Sequence, residues 1–417
     1  MHVSRTSLIW VMALMTLITG QTNPASSQET PDPQTAQNVD AASGGGDQNW
    51  SFPVFVGTSD TILEQLHVAA SDVYQRKTET TLMVERLRGG LFFSPGLSLQ
   101  SELTFAPLRG SLRQAHKDHF FSDQGLYLQQ LYLKAEGDTL IGYIGKFDPQ
   151  ISWAADNAPG VFGADYVSDY QVHEMLGAGG AVRWQDEANG RHVLSGAVFQ
   201  ADNTPLGLSA FTSPRFGQND TGRAGRLHYG DGGVANTRYP RSGLLRLDGD
   251  MSAFDSPNLN YHLAYAQLHR GVSQSANQQS FIAGLDHTLQ IDSDLFLQSQ
   301  VEYAHILDNG GSPVSGQAGQ SASQKADYLT TGATLWWNGW NLSAVHTVRD
   351  LKHPDDGSGN IGRNSYDQLW TTSLGYSWAW GLWGTIGWKH EHGYDGLLGA
   401  PASTQTVGFQ LGYHQDF

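Results

Sequence analysis

The chain has 417 residues, 39 % hydrophobic and 15 % charged, with 40 acidic against 24 basic side chains, a net charge of −16, no cysteine and 49 glycines. The acidic balance argues against a nucleic-acid binder, which needs basic surface to release phosphate counterions. The lack of cysteine removes disulfides, zinc ribbons and thiol nucleophiles. A mean hydropathy of −0.37 excludes a bundle of membrane helices, each of which needs about 20 nearly uninterrupted apolar residues.

Met1 to Ser27 reads as a cleaved export signal, with Arg5 as the charged start, Leu8 to Ile18 as the apolar run, and Ala25 and Ser27 as small residues before the cut. That run is too short to span a bilayer as a helix. Residues 28 to 49 lack hydrophobic periodicity and are expected to form a disordered lead-in. No later stretch suits a membrane helix, so a membrane location would require strands.

From about residue 77 onward, short segments alternate with period two, the pattern of strands with one apolar face. Leu97, Leu99, Leu103 and Phe105 oppose Ser98, Gln100, Glu102 and Thr104; Leu245, Leu247 and Met251 oppose Arg246, Asp248 and Asp250. Leu259, Tyr261, Leu263 and Tyr265, and later Trp370, Leu374, Tyr376 and Trp378, continue the apolar set. A soluble sandwich would alternate in the same way, so spacing decides. Very short turns at 94–96, 136–138, 187–190, 255–257, 292–293, 338–339 and 379–380 alternate with long polar loops near 107–123, 148–170, 203–241, 270–277, 308–324, 353–363 and 393–402. This short-long rhythm is that of an up-and-down transmembrane β-barrel with short periplasmic turns and long outer loops. Parity then requires one more strand before residue 77, and Trp50, Phe52, Val54 and Val56 supply it. The stretch 58–76 becomes the first outer loop, with Thr61 to Ala70 as a helical turn or two. The fold class is therefore all-β, an antiparallel barrel of about sixteen strands over residues 50–417, an even count as closure of a single chain requires.

Most of the twelve tryptophans fall in the last quarter, and Trp336, Trp337, Trp340, Trp378 and Trp380 flank the turns at 338 and 380. Amphipathic rings at strand ends suit the headgroup level of a membrane. The last segment, TVGFQLGYHQDF, places Val407, Phe409, Leu411, Tyr413 and Phe417 on one parity. It resembles the carboxy-terminal assembly signal of Gram-negative outer-membrane proteins, which ends in an aromatic residue. The loop from Asp148 to Tyr170, between the fifth and sixth strands, carries Asp148, Asp156, Asp165 and Asp169 and no Lys or Arg. Its Pro159-Gly160 pair and the run Phe162 to Asp165 are similar to elements of the loop that general diffusion porins fold into the pore. The resemblance implies a 16-stranded outer-membrane porin, a homotrimer assembled by the barrel-assembly machinery among outer-membrane lipid and lipopolysaccharide, passing small hydrophilic solutes and ions without a cofactor.

A porin works through the width and electrostatics of a hole. On the parity opposite the apolar set lie Arg86, Arg88 and Arg246 at mid-height, with Arg183 and Lys146 nearer the ends. Facing the acidic loop, these would set a transverse field across a constriction. The alternative reading pairs Arg86 and Arg88 with Glu102 on the next strand, and leaves the four loop Asp residues as a solvated outer loop or a divalent-cation site. The parity that turns Arg86 inward sends Glu85 toward lipid, which calls for a bulge, a subunit interface or a parity error.

Other features carry less. His390-Glu391-His392 and the pair His116 and His119 lack the helical HExxH spacing, so no metal is expected. Gly177 to Gly180 precedes no helix and reads as close packing rather than a phosphate loop. The stretch 219–233, with Arg223 and Arg226, reads as an exposed loop or a gate. Against the passive porin stand a substrate-specific channel for sugars or an anion such as phosphate, and an outer-membrane hydrolase, for which no GxSxG motif is present.

Overall fold

The computed structural model describes residues 52–73, 76–107, 118–121, 124–186, 190–210, 227–252, 256–272, 274, 276–311, 324–352, 364–395 and 400–417. The expected export signal, the lead-in, Trp50, His116, Arg223 and Arg226 lie outside the described residues.

Sixteen long strands follow one another as β1 (Val54–Ser71), β2 (Glu79–Ser94), β3 (Leu97–Pro107), β4 (Gln124–Glu136), β5 (Leu140–Phe147), β6 (Met175–Asp186), β7 (Gly190–Ala201) and β8 (Ser242–Met251), then β9 (Ser256–Leu268), β10 (Gln278–Asp292), β11 (Leu295–Leu307), β12 (Lys325–Trp337), β13 (Trp340–Lys352), β14 (Ser365–Ser377), β15 (Leu382–Asp395) and β16 (Ala400–Asp416). A two-residue strand, His119–Phe120, lies parallel to the start of β2. Each long strand pairs antiparallel with the next, and β16 returns to β1 in a ladder from Thr58↔Asp416 to Ser71↔Thr404. Closure leaves no free sheet edge, which in lipid would strand backbone groups at several kcal/mol each. The terminal residue completes the seam: Phe417 exchanges two 2.9 Å backbone hydrogen bonds with Gly57, and its ring stacks on Phe55 at 5.9 Å. A side chain at position 57 would collide with the Phe417 ring. Tyr413 sits opposite Thr61 on the same seam.

The barrel is inside out relative to a soluble protein. Leu140, Ile144, Leu245, Leu342, Trp370 and Ile386 are exposed on its outer face, while Ser280, Glu302, Thr330, Thr347 and Asp367 are buried inside. No helix among the described residues is long and apolar enough to cross a membrane; the crossing elements are strands. Trp337, Trp340, Trp378 and Trp380 stand exposed beside the short turns, as expected of an interfacial belt. Trp336 departs from that expectation, lining an interior cavity and stacking on Phe296 at 5.9 Å.

The first expected loop is a correction. Residues 58–71 belong to β1, and the connection to β2 spans only 72–78. The sequence misled because this strand has inverted faces: Ser59, Thr61, Gln65 and His67 share the outward parity of Phe55, while Leu66 points inward against the interior near Gly408. Apolar residues at 62, 63 and 66 then mimic helical spacing. Glu85 stands opposite Thr61 on the outer face as its parity demands, without a bulge, and accepts hydrogen bonds from Ser59 Oγ at 2.6 Å and from Thr61 Oγ1.

Candidate functional site

The connection from β5 to β6, residues 148–174, turns into the barrel and packs on the inner face of the far wall. Ile151, Ala154, Tyr166, Val167 and Tyr170 form one apolar cluster with Ala266 of β9, Ile282 of β10, Ala304 and Ile306 of β11, Ala326 and Tyr328 of β12, and Leu369 of β14. The loop contains a single helical turn, α1 (Ala154–Asn157), and a 3₁₀ turn, Val167–Tyr170.

Glu302 of β11 is the anchor that sequence reasoning missed. It is 1 % exposed. Its carboxylate accepts from Ser152 Oγ at 2.5 Å, the Trp153 and Ala154 N–H groups at 2.8 and 3.0 Å, and Tyr170 Oη at 2.7 Å. Those two N–H groups are orphan donors at the start of α1, which a carboxylate satisfies well. Nothing local in β11 marks this role, because the partners lie about 150 residues away in the chain.

Two further anchors have a legible signature. The segment Phe162 to Asp169 reads FGADYVSD, an aromatic followed three residues later by Asp, twice in succession. Each unit grips one cation of the opposite wall. Lys389 of β15 binds Asp165 at 2.6 Å and lies 5.0 Å from the Phe162 ring centre. Arg349 of β13 binds Asp169 at 2.6 Å and lies 4.4 Å from the Tyr166 ring centre. A cation held by both a carboxylate and a ring face gains cation–π attraction of roughly 0.5–2 kcal/mol beyond the ion pair. Between the anchors the tip rests on small residues: Val161 N–H donates to Ser373 Oγ at 3.1 Å, and a side chain at Gly408 would meet the Phe162 ring at 2.6 Å.

The four loop acids therefore separate. Asp165 and Asp169 are docking groups, which corrects the expectation that they face the basic wall. Asp148 fastens the base of the loop, accepting from Gln129 Nε2 and Glu174 N–H, both at 2.5 Å, with His173 Nδ1 at 3.3 Å. Asp156 alone of the four has no ion pair among the described residues, and it accepts a hydrogen bond from Gln150 Nε2 at 3.2 Å. It lines two interior cavities, of about 340 and 560 Å³. Enclosure by protein raises its carboxyl above the ordinary 3.8, opposed by the charge of Arg246.

The basic wall is brought together in part. Arg86 and Arg88 line the 340 Å³ cavity together with Asp148 and Asp156. Arg88 is held by Asp60 at 2.6 Å and Glu102 at 3.4 Å, so the wall-pairing alternative also applies to it. Arg246 faces inward, bound to Asp248 at 2.8 Å and donating to Gln150 Oε1 of the loop at 2.9 Å. Asp248 in turn contacts His262 at 2.7 Å, and His262 reaches Asp286 at 2.8 Å while stacking under Trp153 at 4.8 Å. This Arg–Asp–His–Asp row beneath the loop spans β8 to β10. Arg183 lies near the short-turn end, tied to Glu136 at 2.7 Å with Lys134 at 2.5 Å from the same carboxylate.

Lys146 is a second correction. It shares the parity of the exposed Leu140 and Ile144, not that of the inner wall, yet is completely buried. Because β5 ends early where the loop dives inward, residues 202–210 cover the gap, bridging Leu126 through Ala210. Lys146 is locked beneath them by Glu174 and Asp202, both at 2.9 Å, and by the Leu206 carbonyl at 3.1 Å. His390 and His392 alternate with inward Glu391 along β15, and no cluster of metal-ligand type occurs among the described residues. Gly177 to Gly180 lie within β6, and Gly179 leaves room for the Tyr143 ring.

No protein-family model matches the chain, and no curated protein sequence is significantly similar to it. Solved structures are. A loop-deleted form of OmpT, an outer membrane protein of Vibrio cholerae, superposes with a TM-score of 0.52 at 12 % identity, covering 88 % of this chain and all of that one. The outer membrane channel DcaP of Acinetobacter baumannii gives 0.51 at 9 % identity, covering 87 % and 96 %. In-vitro folded OmpT of V. cholerae, described as a trimer form, gives 0.50 at 11 % identity, covering 87 % and 99 %. The fold is that of a 16-stranded outer-membrane barrel. At these identities the likeness concerns the backbone, and chemistry has to be argued from this chain's own side chains.

Proposed function

We propose that the protein is a passive, non-enzymatic channel of a Gram-negative outer membrane, admitting small hydrophilic solutes and ions through a lumen narrowed by residues 148–174. The observation that carries this reading is the loop held across the barrel interior by Glu302, Lys389 and Arg349, beside polar cavities lined by Arg86, Arg88 and Asp156. General diffusion is favoured over an anion-specific pore, because Arg88, Arg183, Arg246, Arg349, Lys134 and Lys389 each have a carboxylate partner. A sugar-specific pore would present open aromatic faces, whereas the rings at the interior cavities pair with one another: Trp153 with His262, Trp336 with Phe296 and Tyr132 with Tyr143. Single-channel recording of the purified protein in a planar bilayer tests the proposal. Stepwise ohmic conductance is expected; insertion without conductance refutes it.

The barrel further self-associates, as a trimer by resemblance, through the outer face of β1 and β2. A carboxylate facing hydrocarbon is costly, and Glu85 with Ser59, Thr61 and Gln65 makes that face polar where most of the exterior is apolar. Glu85→Leu is expected to weaken the oligomer on native gels. A variant that gains thermal stability without any change in assembly would show the face to be lipid-exposed.

A further inference from the structure

Above the long-loop ends of β8, β9 and β10 lies a cup of about 950 Å³ formed by Tyr229 and residues of 237–241, 269–272, 274 and 276–277. Its walls include Arg238, Arg241, Arg270 and His269, and no carboxylate occurs among its described lining residues. In a chain with 40 acidic against 24 basic residues, such a grouping is a deliberate concentration of positive charge. Arg238 is shaped as well as charged: its guanidinium lies 4.9 Å from the Tyr229 ring centre. The Arg270 backbone N–H is fixed by Asn277 Oδ1 at 2.9 Å, which ties the two ends of the β9–β10 connection together.

The position of the cup says what it would meet. Arg241, His269 and Asn277 each lie one residue beyond a strand, and continue the parity on which Leu245, Leu263 and Phe281 are exposed to lipid. Arg241 stands four residues above Leu245, about 13 Å along the strand at 3.3 Å per residue. Tyr239 and Val272 line the same cup and are exposed, 67 % and 49 %. An arginine cluster with an exposed ring and an apolar side chain, joined through Arg241 and His269 to a lipid-facing column, has the composition of a headgroup site rather than of a solute path. Guanidinium forks match phosphate oxygens in geometry and charge.

We propose that this cup binds a phosphate group of an outer-leaflet lipid, with Arg238, Arg241 and Arg270 as the phosphate ligands and Tyr239 and Val272 against the acyl–headgroup boundary. The site is separate from the constriction and stands whether or not the barrel conducts. Full-length protein in detergent is titrated with diphosphorylated lipid A, with its dephosphorylated form and with inorganic phosphate, and lipid retention is read by native mass spectrometry. The wild type is expected to retain the diphosphorylated lipid. Each Arg→Gln change should weaken it about tenfold, the scale of one charged hydrogen bond, and the three together should abolish retention while heat-modifiable gel mobility stays that of a folded barrel. Equal retention by wild type and by the triple variant overturns the proposal. So does equal binding of the dephosphorylated lipid. Displacement of the lipid by millimolar inorganic phosphate would assign the cup to a free anion and overturn the lipid source.

Discussion

Replacing Glu302 with Leu removes the acceptor for four donors of the pore loop at once. Each is a hydrogen bond to a carboxylate, in the class that contributes about 1.5–3 kcal/mol net, and the Trp153 and Ala154 N–H groups would be left facing an apolar side chain. Allowing for non-additivity and local relaxation, docking of residues 150–157 and 170 should weaken by on the order of 5 kcal/mol, a shift of roughly 10⁴ in the docked-to-free ratio. Asp165–Lys389 and Asp169–Arg349 still hold the tip, so the loop should fluctuate about its base rather than leave the lumen. In planar bilayers the Leu variant is expected to show higher mean conductance with frequent substates. Glu302→Gln should be mild: its carbonyl can still accept from the two N–H groups, and the Ser152 and Tyr170 hydroxyls can turn to accept from its amide. A Leu variant that folds as a barrel and conducts with wild-type amplitude and noise would refute this assignment.

Asp156→Asn should reduce cation preference in reversal-potential measurements, whereas Asp165→Asn should change it less and instead increase current noise, since Asp165 sits at the docking wall outside the cavities that Asp156 lines and Lys389 keeps Glu391 as a partner; the opposite ranking would show that the loop acids have been misassigned. Cation preference should also fall on acidification beginning above the ordinary aspartate value of 3.8, because enclosure raises the Asp156 carboxyl. The sign for stability is the reverse: an acid that binds its proton more tightly when folded favours the fold as pH falls through its raised pKa, and its ionisation costs stability above that point. Titrating reversal potential between pH 3 and pH 7 checks the first, and a profile with no inflection above the ordinary value would contradict it. Gly408→Leu should displace the loop tip, because even a Cβ there lies 2.6 Å from the Phe162 ring. At about 1–3 kcal/mol of overpacking, the variant should show faster limited proteolysis within residues 148–174, and unchanged cleavage would place the tip elsewhere.

The strand count and the short-long rhythm were legible because the same chemistry repeats around the wall, with Leu, Ile and Trp outward and Thr, Ser and acids inward. β1 was not, since its outward Ser59, Thr61 and Gln65 and its inward Leu66 invert that rule and blur the period. Lys146 was misplaced for a related reason. A lysine on the lipid parity looks impossible until residues 202–210 cover it and supply Asp202 and the Leu206 carbonyl. The pore loop was recognisable by its position and acids, but the roles of those acids were not, because Arg349, Lys389 and Glu302 are brought to it by ring closure rather than by sequence spacing. The doubled aromatic-x-x-Asp pattern was visible and unread: it says that two cations are needed without saying which.

The wall itself encodes where the loop lies. In a water-filled barrel the inward positions should be polar throughout, as Thr330, Thr347 and Asp367 are. Yet Ala266, Ile282, Ala304, Ile306, Ala326 and Leu369 occupy inward positions on β9 to β14 and are almost fully buried. Small or apolar side chains at those positions are unfavourable beside water and favourable beneath Ile151, Val167 and Tyr170, where the area removed from water stabilises by roughly 25 cal/mol per Å². The arc from β2 to β8 keeps Arg86, Arg88, Glu102 and Arg246 at inward positions beside cavities, and carries a second apolar cluster at Phe147, Ala197 and Phe199. The wall composition thus marks where the loop docks: its apolar side chains lie on the β9 to β14 cluster, and Asp156 is turned toward polar cavities that reach from Arg86 and Arg88 on β2 to Asp286 on β10.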